Sequence, residues 1–246
     1  KTSSSILCFL LILSSSLFGL EKLPEKYTVS LGSIEAEHTV VEYFSLSCPL
    51  CLKLIKKDFK NIYTQFVETK QIYWTFHPDP ADLSTLQLMV CLEKLPHSKK
   101  WAFFWEAIQT AAPNNPSRNT FLLQELSKQF ALDIPLLHDI KWLESTKAFQ
   151  EAFKYTKQMD APTEIPSIEF DGTLREDLMP TTQVIEELVS DCKNLRSSLT
   201  HLYPDELHAH VQQLGASCCR VPHFAHQASL GANMTADFCN QTLACR

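Results

Sequence analysis

Glycine is scarce in this sequence, with five residues in 246 against thirteen prolines. That ratio excludes a chain of flexible Gly-rich loops and favours helices with firm stops between them. A basic excess is also missing. Lys and Arg number 22 against 28 Asp and Glu, a net charge of -6, so no surface is expected to neutralise a run of phosphates, and nucleic acid is not a partner. After the N-terminus no apolar run approaches the roughly 20 residues that cross a membrane. The mature chain is therefore expected to work in an extracytoplasmic space.

The N-terminus carries Lys1, the apolar stretch Ile6 to Leu13, and then Ser14, Ser15, Ser16, Leu17, Phe18 and Gly19. A charge, a short apolar core and small residues make a signal peptide over 1–19, cleaved near Ser16 or Gly19. Leu17 and Phe18 leave an uncleaved anchor as the alternative. Cys8 precedes most of the apolar run, so lipidation is not expected. Nine cysteines occur, eight of them after position 19, and in an exported chain they must be paired or chemically employed.

Val29 to Ile34 is expected as a short first strand, and Thr39 to Phe44 as a buried one, being β-branched and aromatic. Leu52, Ile55, Phe59, Ile62 and Phe66 then fall at helical spacing. Gln71 to Phe76 predicts another strand, stopped by His77-Pro78-Asp79-Pro80. Strand, helix, strand makes a right-handed βαβ unit. From Asp82 to Gln158 the pattern is helical, in pieces 83–95, 99–111, 117–132, 136–143 and 146–158, most of them separated by prolines. Ile165 to Phe170 resumes a strand, Asp171-Gly172 is a hairpin signal with Thr173-Leu174 returning, and Thr181 to Leu195 is a last amphipathic helix. An all-helical block thus interrupts an α/β sequence.

Cys48-Pro49-Leu50-Cys51 stands at the junction of the buried strand and the helix. There the first backbone N–H groups lack intrahelical partners and the helix dipole is positive, which stabilises a thiolate on Cys48. Pro49 suits the first helical turn, and Cys51, one turn on, can close a disulfide. Cys48 is then the substrate-facing sulfur and Cys51 the resolving one. Leu50 adds no donor or charge, so a weaker oxidant is expected than with histidine there. Half of a zinc site or an inert helix-cap disulfide are the alternatives for this pair.

The run Val41-Glu42-Tyr43-Phe44-Ser45-Leu46-Ser47-Cys48-Pro49-Leu50-Cys51 resembles the active-site strand and helix start of the periplasmic DsbA-like disulfide oxidoreductases. His77-Pro78, the Trp101 to Glu106 segment and Ile165-Pro166-Ser167-Ile168 before Asp171-Gly172 extend the resemblance over about residues 27–195. It implies a thioredoxin fold with an inserted all-helical domain, 20–81 and 159–196 being thioredoxin-like and 82–158 helical, whereas 197–246 has no counterpart in the resemblance and is read from its own composition as a Cys/His-rich extension. It also implies that Pro166 is a cis-proline facing the redox pair, that Ile165 presents its backbone to substrate beside Pro49 and Leu50, and that Glu42 is a buried acid exchanging protons with Cys51. If the strand turns Glu42 outward, it is a solvated charge instead.

The function so implied is disulfide exchange with unfolded or folding exported proteins, oxidation being the favoured sense. A membrane redox partner would recycle the pair. Ile165 and Leu50 keep a reductase or isomerase open as an alternative, together with a metal-binding thioredoxin-fold module. No cofactor is needed. No metal site is assigned, because His208, His210, Cys218 and Cys219 lack standard ligand spacing. Cys91 is expected as a small core residue, with pairing to Cys192 the alternative.

Overall fold

The computed structural model describes residues 22–158 and 161–202. The expected signal peptide and the tail histidines and cysteines lie outside the described residues. Two compact units are present, one ending at Ile185 and the other beginning at Glu186.

The first unit is built on strands β1 (Val29–Leu31), β2 (His38–Phe44), β3 (Ile72–Pro78), β4 (Ser167–Phe170) and β5 (Thr173–Arg175). Their order across the sheet is β1-β3-β2-β4-β5, with only the β2–β3 pair parallel. Helix α1 (Pro49–Ile62) makes the crossover between β2 and β3. Helices α2 (Leu83–Lys94), α3 (His97–Thr110), α4 (Pro116–Gln129), α5 (Ile140–Glu144) and α6 (Lys147–Tyr155) all fall between β3 and β4. Helix α7 (Thr182–Leu202) follows β5 and runs beyond the expected end at Leu195. Neither glycine nor proline interrupts it, the next breaker being Pro204.

β2 is the central strand and is buried along nearly its whole length. Val40, Glu42 and Phe44 pair in register with Trp74, Phe76 and Pro78 of β3. On that face Phe59 of α1 lies 4.7 Å from Phe76 and 5.6 Å from Trp74, centroid to centroid. Phe104 of α3 packs edge-on against Phe44 at 5.3 Å and lies tilted against Phe76 at 4.7 Å. Trp101 stacks on Phe76 at 6.2 Å, so the Trp101 segment joins the helical block to the sheet. Aromatic pairs of this geometry add about 0.5–1.5 kcal/mol each beyond the area they bury.

Several boundaries differ from the sequence pattern. His77 and Pro78 do not stop the strand but end β3 inside it. The β1 pairing reaches only to Phe76, so Pro78 lies past the neighbour that would have needed its N–H. β1 ends at Leu31 instead of Ile34 because Gly32 follows with φ +96°, and a Cβ there would meet the Ile72 carbonyl oxygen at 2.7 Å. The helix after Cys51 widens at Tyr63–Val67, where Glu68 N–H donates five residues back to Tyr63 at 2.8 Å. That turn keeps both Phe66 and Val67 buried. At the β4–β5 hairpin Asp171 and Gly172 both have positive φ, as a two-residue turn requires, and Asp171 Oδ1 accepts from Thr39 N–H at 2.8 Å.

Cys91 carries a free thiol and so is not paired with Cys192. It is fully buried on α2 with Sγ 3.4 Å from Ser127 Oγ of α4, and burial pushes its thiol up to about 12.

Candidate active site

The strand-to-helix junction places Cys48 as the N-cap of α1, with Pro49 in the first turn. Its Sγ accepts a hydrogen bond from Cys51 N–H at 3.1 Å, taking up one of the donors that an α-helix leaves unpaired. Both cysteines are free thiols, the reduced form of the pair. They differ sharply in environment. Cys48 is half-buried, whereas Cys51 is 0% exposed.

That difference separates their acidities. The Cys51 thiol donating to Cys48 brings the latter down to about 6; burial opposes this, the backbone N–H groups of Cys51 and Leu50 assist, and the charge of Asp82 opposes. Cys51 moves strongly upward, because it is the donor in that hydrogen bond and because it is buried. At neutral pH the outer sulfur is mainly thiolate and the inner one a thiol. The helix-terminus mechanism expects this division.

The peptide bond between Ile165 and Pro166 is cis. Pro166 is buried and Ile165 partly exposed, and the Ile165 carbonyl oxygen lies 3.9 Å from Cys48 Sγ. A chain segment more than a hundred residues away is thereby brought against the outer sulfur. Pro49 and Leu50 are exposed beside it.

Glu42 is 1% exposed, pairing in register with Phe76 on one side and Ile168 on the other. Burial raises its carboxyl to about 8, opposed only in part by the Trp74 indole, and its Oε1 has no hydrogen-bond partner. Its charge, when present, pushes the Cys51 thiol further up, which couples the two groups. Such a carboxyl holds its proton through most of the neutral range and is suited to exchanging it with a neighbouring group.

Sequence reasoning missed the support beneath the cysteine. Ser45 and Ser47, in the loop between β2 and α1, both donate to the carboxylate of Asp82. Asn119 of α4 donates to Leu46 O at 3.3 Å, and Asn114 N–H donates to Ser47 O at 3.1 Å. Asp82 preceding Leu83-Ser84-Thr85 has the signature of a helix cap, but nothing local links it to Cys48. Among the described residues, no cluster with metal-ligand geometry includes Cys48 or Cys51.

The sequence profile of a family described as Thioredoxin matches residues 25–186, a span that holds both cysteines, the helical block and Pro166. Among solved structures, oxidised BdbD from Bacillus subtilis is similar at 17% identity and a TM-score of 0.55, covering 70% of this chain and 96% of that one. DsbA from Chlamydia trachomatis is similar at 20% identity and a TM-score of 0.52, covering 71% and 95%. α-DsbA1 of Wolbachia pipientis, in a form with two cysteines replaced by alanine, follows at 17% identity and 0.50, covering 68% and 91%. No curated protein sequence matches the chain. At these identities the structural likeness bears on the fold: a thioredoxin-type sheet with helices between β3 and β4.

Proposed function

Since the chain belongs to the thioredoxin family, with a DsbA-like fold, we propose that it is a protein thiol-disulfide oxidoreductase acting through Cys48 and Cys51. The observation that carries this reading is the N-cap sulfur of Cys48, held acidic above a buried Cys51 and against the cis Ile165–Pro166 bond. In the oxidising direction a substrate thiolate attacks Cys48 Sγ of the disulfide and Cys51 leaves as a thiolate, which takes a proton. A second substrate thiol, losing its proton, attacks the substrate sulfur of the mixed disulfide and expels the Cys48 thiolate. The substrate leaves with one disulfide, and the pair has gained two electrons. Stabilising the Cys48 thiolate favours this direction.

The substrates in this reading are unfolded or folding exported proteins, whose extended chain runs over Ile165, Pro49 and Leu50. A membrane redox partner accepts the two electrons and restores the disulfide. The setting is the periplasm or another extracytoplasmic space; among the described residues no helix is long and apolar enough to cross a membrane. Glu42 exchanges protons with Cys51: its protonated form gives one to the leaving Cys51 thiolate, and its ionised form, the minority at neutral pH, takes one when the buried thiol must become a nucleophile.

A pH profile of alkylation tests the site. Among Cys48, Cys51 and Cys91, Cys48 is expected to react first, with a rate midpoint close to pH 6, because the other two are buried thiols pushed upward. A midpoint in the ordinary thiol range together with no exchange with glutathione would sink the enzyme reading. The glutathione equilibrium also sets direction. A pair as oxidising as glutathione or more supports an oxidase or isomerase, and a strongly reducing pair supports a reductase, the sense that Leu50 favours.

A further inference from the structure

Three residues separate the end of β2 from the reactive sulfur: Ser45, Leu46 and Ser47. All three are tied to the first turn of α2. Ser45 Oγ donates to Asp82 Oδ2 and accepts from Ser47 N–H at 3.0 Å. Ser47 Oγ donates to Asp82 Oδ1 at 2.9 Å. Leu46 N–H donates to Thr85 Oγ1 at 2.9 Å, and that hydroxyl donates in turn to Asp82 Oδ2 at 2.6 Å. Asp82 Oδ1 also caps α2 by accepting from Thr85 N–H at 3.0 Å. One carboxylate therefore serves four donors, two from the loop before the nucleophile and two from the first turn of the helical block.

A neutral side chain could cap α2 as well, since Asn and Ser are as good at that position as Asp. What Asp adds is a full negative charge next to a loop whose next residue must itself become an anion. The groups bearing on Cys48 are few. Cys51 on its own helix donates to it, the Cys51 and Leu50 backbone N–H groups favour the thiolate, and Asp82 opposes it. Asp79, just past the end of β3, is raised by burial and further by the charge of Asp82, and Glu42 bears on Cys51.

From this geometry we infer that Asp82 is a positioning residue that clamps the Cys48 loop to the helical block and, by its charge, weakens the Cys48–Cys51 pair as an oxidant. The helix terminus and Asp82 then act in opposite senses on one sulfur, beside the larger effects of the Cys51 thiol and of burial. This inference rests on the exchange function proposed above. The reaction it modulates is the conversion of the Cys48–Cys51 disulfide and two glutathione thiols into the dithiol and glutathione disulfide, two electrons and two protons passing to the pair.

The test uses the full chain with Asp82→Asn and Asp82→Ser, both of which keep a capping oxygen and remove the charge. The Cys48 alkylation midpoint is expected to fall, with the thiolate-to-thiol ratio at a fixed pH rising about threefold to tenfold. The glutathione equilibrium is expected to move toward the dithiol by a similar factor. Asp82→Glu, which returns the charge without the fit, is expected to bring the midpoint back toward the wild-type value while lowering the melting temperature. If Asp82→Asn and Asp82→Ser leave both quantities unchanged, or if Asp82→Glu moves them as far as Asp82→Asn does, the inference is overturned. Failure of the proposed function looks different, since the unaltered protein itself would then show an ordinary thiol and no exchange.

Discussion

Cys48→Ala is expected to abolish disulfide exchange, whereas Cys51→Ala is expected to complete half a cycle and stop at a mixed disulfide. The two sulfurs are separated by one helical turn, yet only the first combines access with acidity. Cys48 is half-buried at the helix N-cap and held near pKa 6, so that roughly nine molecules in ten carry the thiolate at pH 7. Cys51 is fully buried and its thiol is displaced upward, both by donating to Cys48 and by burial. With Cys48 gone, the donor loses its partner but stays buried, and attack on an external disulfide should slow by more than about thirtyfold, the loss in thiolate fraction on going to even an ordinary thiol, with burial adding to it. With Cys51 gone, the outer sulfur still attacks, and nothing remains to release the adduct. Non-reducing electrophoresis after incubation with a disulfide-containing peptide separates these outcomes. A stable adduct on Cys48→Ala, or none on Cys51→Ala, would reverse the assignment of outer and inner sulfur.

How far the site was legible in the sequence follows from the range of the interactions involved. The N-cap role of Cys48 depends on its position between a β-branched strand and an amphipathic helix and on Pro49 behind it, all within a few residues. Periodicity carries such information, and the strand, the helix and the CxxC spacing emerge together. The side to which Glu42 turns was not decidable in the same way. Alternation distinguishes inside from outside only when a strand has a wet face, and β2 is central and buried on both. The approach of the Ile165 carbonyl to Cys48 spans 117 positions, and no local pattern encodes it; the family resemblance alone pointed there. Asp82 shows the same limit more sharply. Its capping role is visible from the residues that follow, but its hold on Ser45 and Ser47 exists only after α2 has folded against the loop. The end of β3 failed for a different reason, since a proline is a stop signal only where a neighbouring strand needs its N–H, and here β1 has already ended.

Glu42→Gln is expected to stabilise the fold by about 3 kcal/mol at pH 7 and to leave it almost unchanged at pH 4. Burial among Phe76, Ile168 and Trp74 raises the carboxyl from 4.5 to about 8. In the unfolded chain the group ionises near its ordinary value, so between those two pH values the folded state binds a proton that the unfolded state does not. Stability must therefore fall as pH rises through that window, and the loss is complete above about pH 8. Below the ordinary carboxyl range both states are protonated, and a neutral isostere gains nothing. Urea unfolding of the reduced protein at pH 4 and pH 7 measures the difference directly. A gain that is the same at both pH values would show that packing, and not the charge, is what Gln relieves. A buried acid that costs the fold this much at working pH is expected to give something in return, and its neighbour is Cys51, whose thiol its charge pushes up. The same substitution should therefore slow the step in which Cys51 attacks a mixed disulfide on Cys48, by about a hundredfold if Glu42 is the proton acceptor. Single-turnover release of glutathione from the Cys48 adduct reads that step alone. A variant that is more stable but releases glutathione at the wild-type rate would leave Glu42 as a burden on the fold with no part in the chemistry.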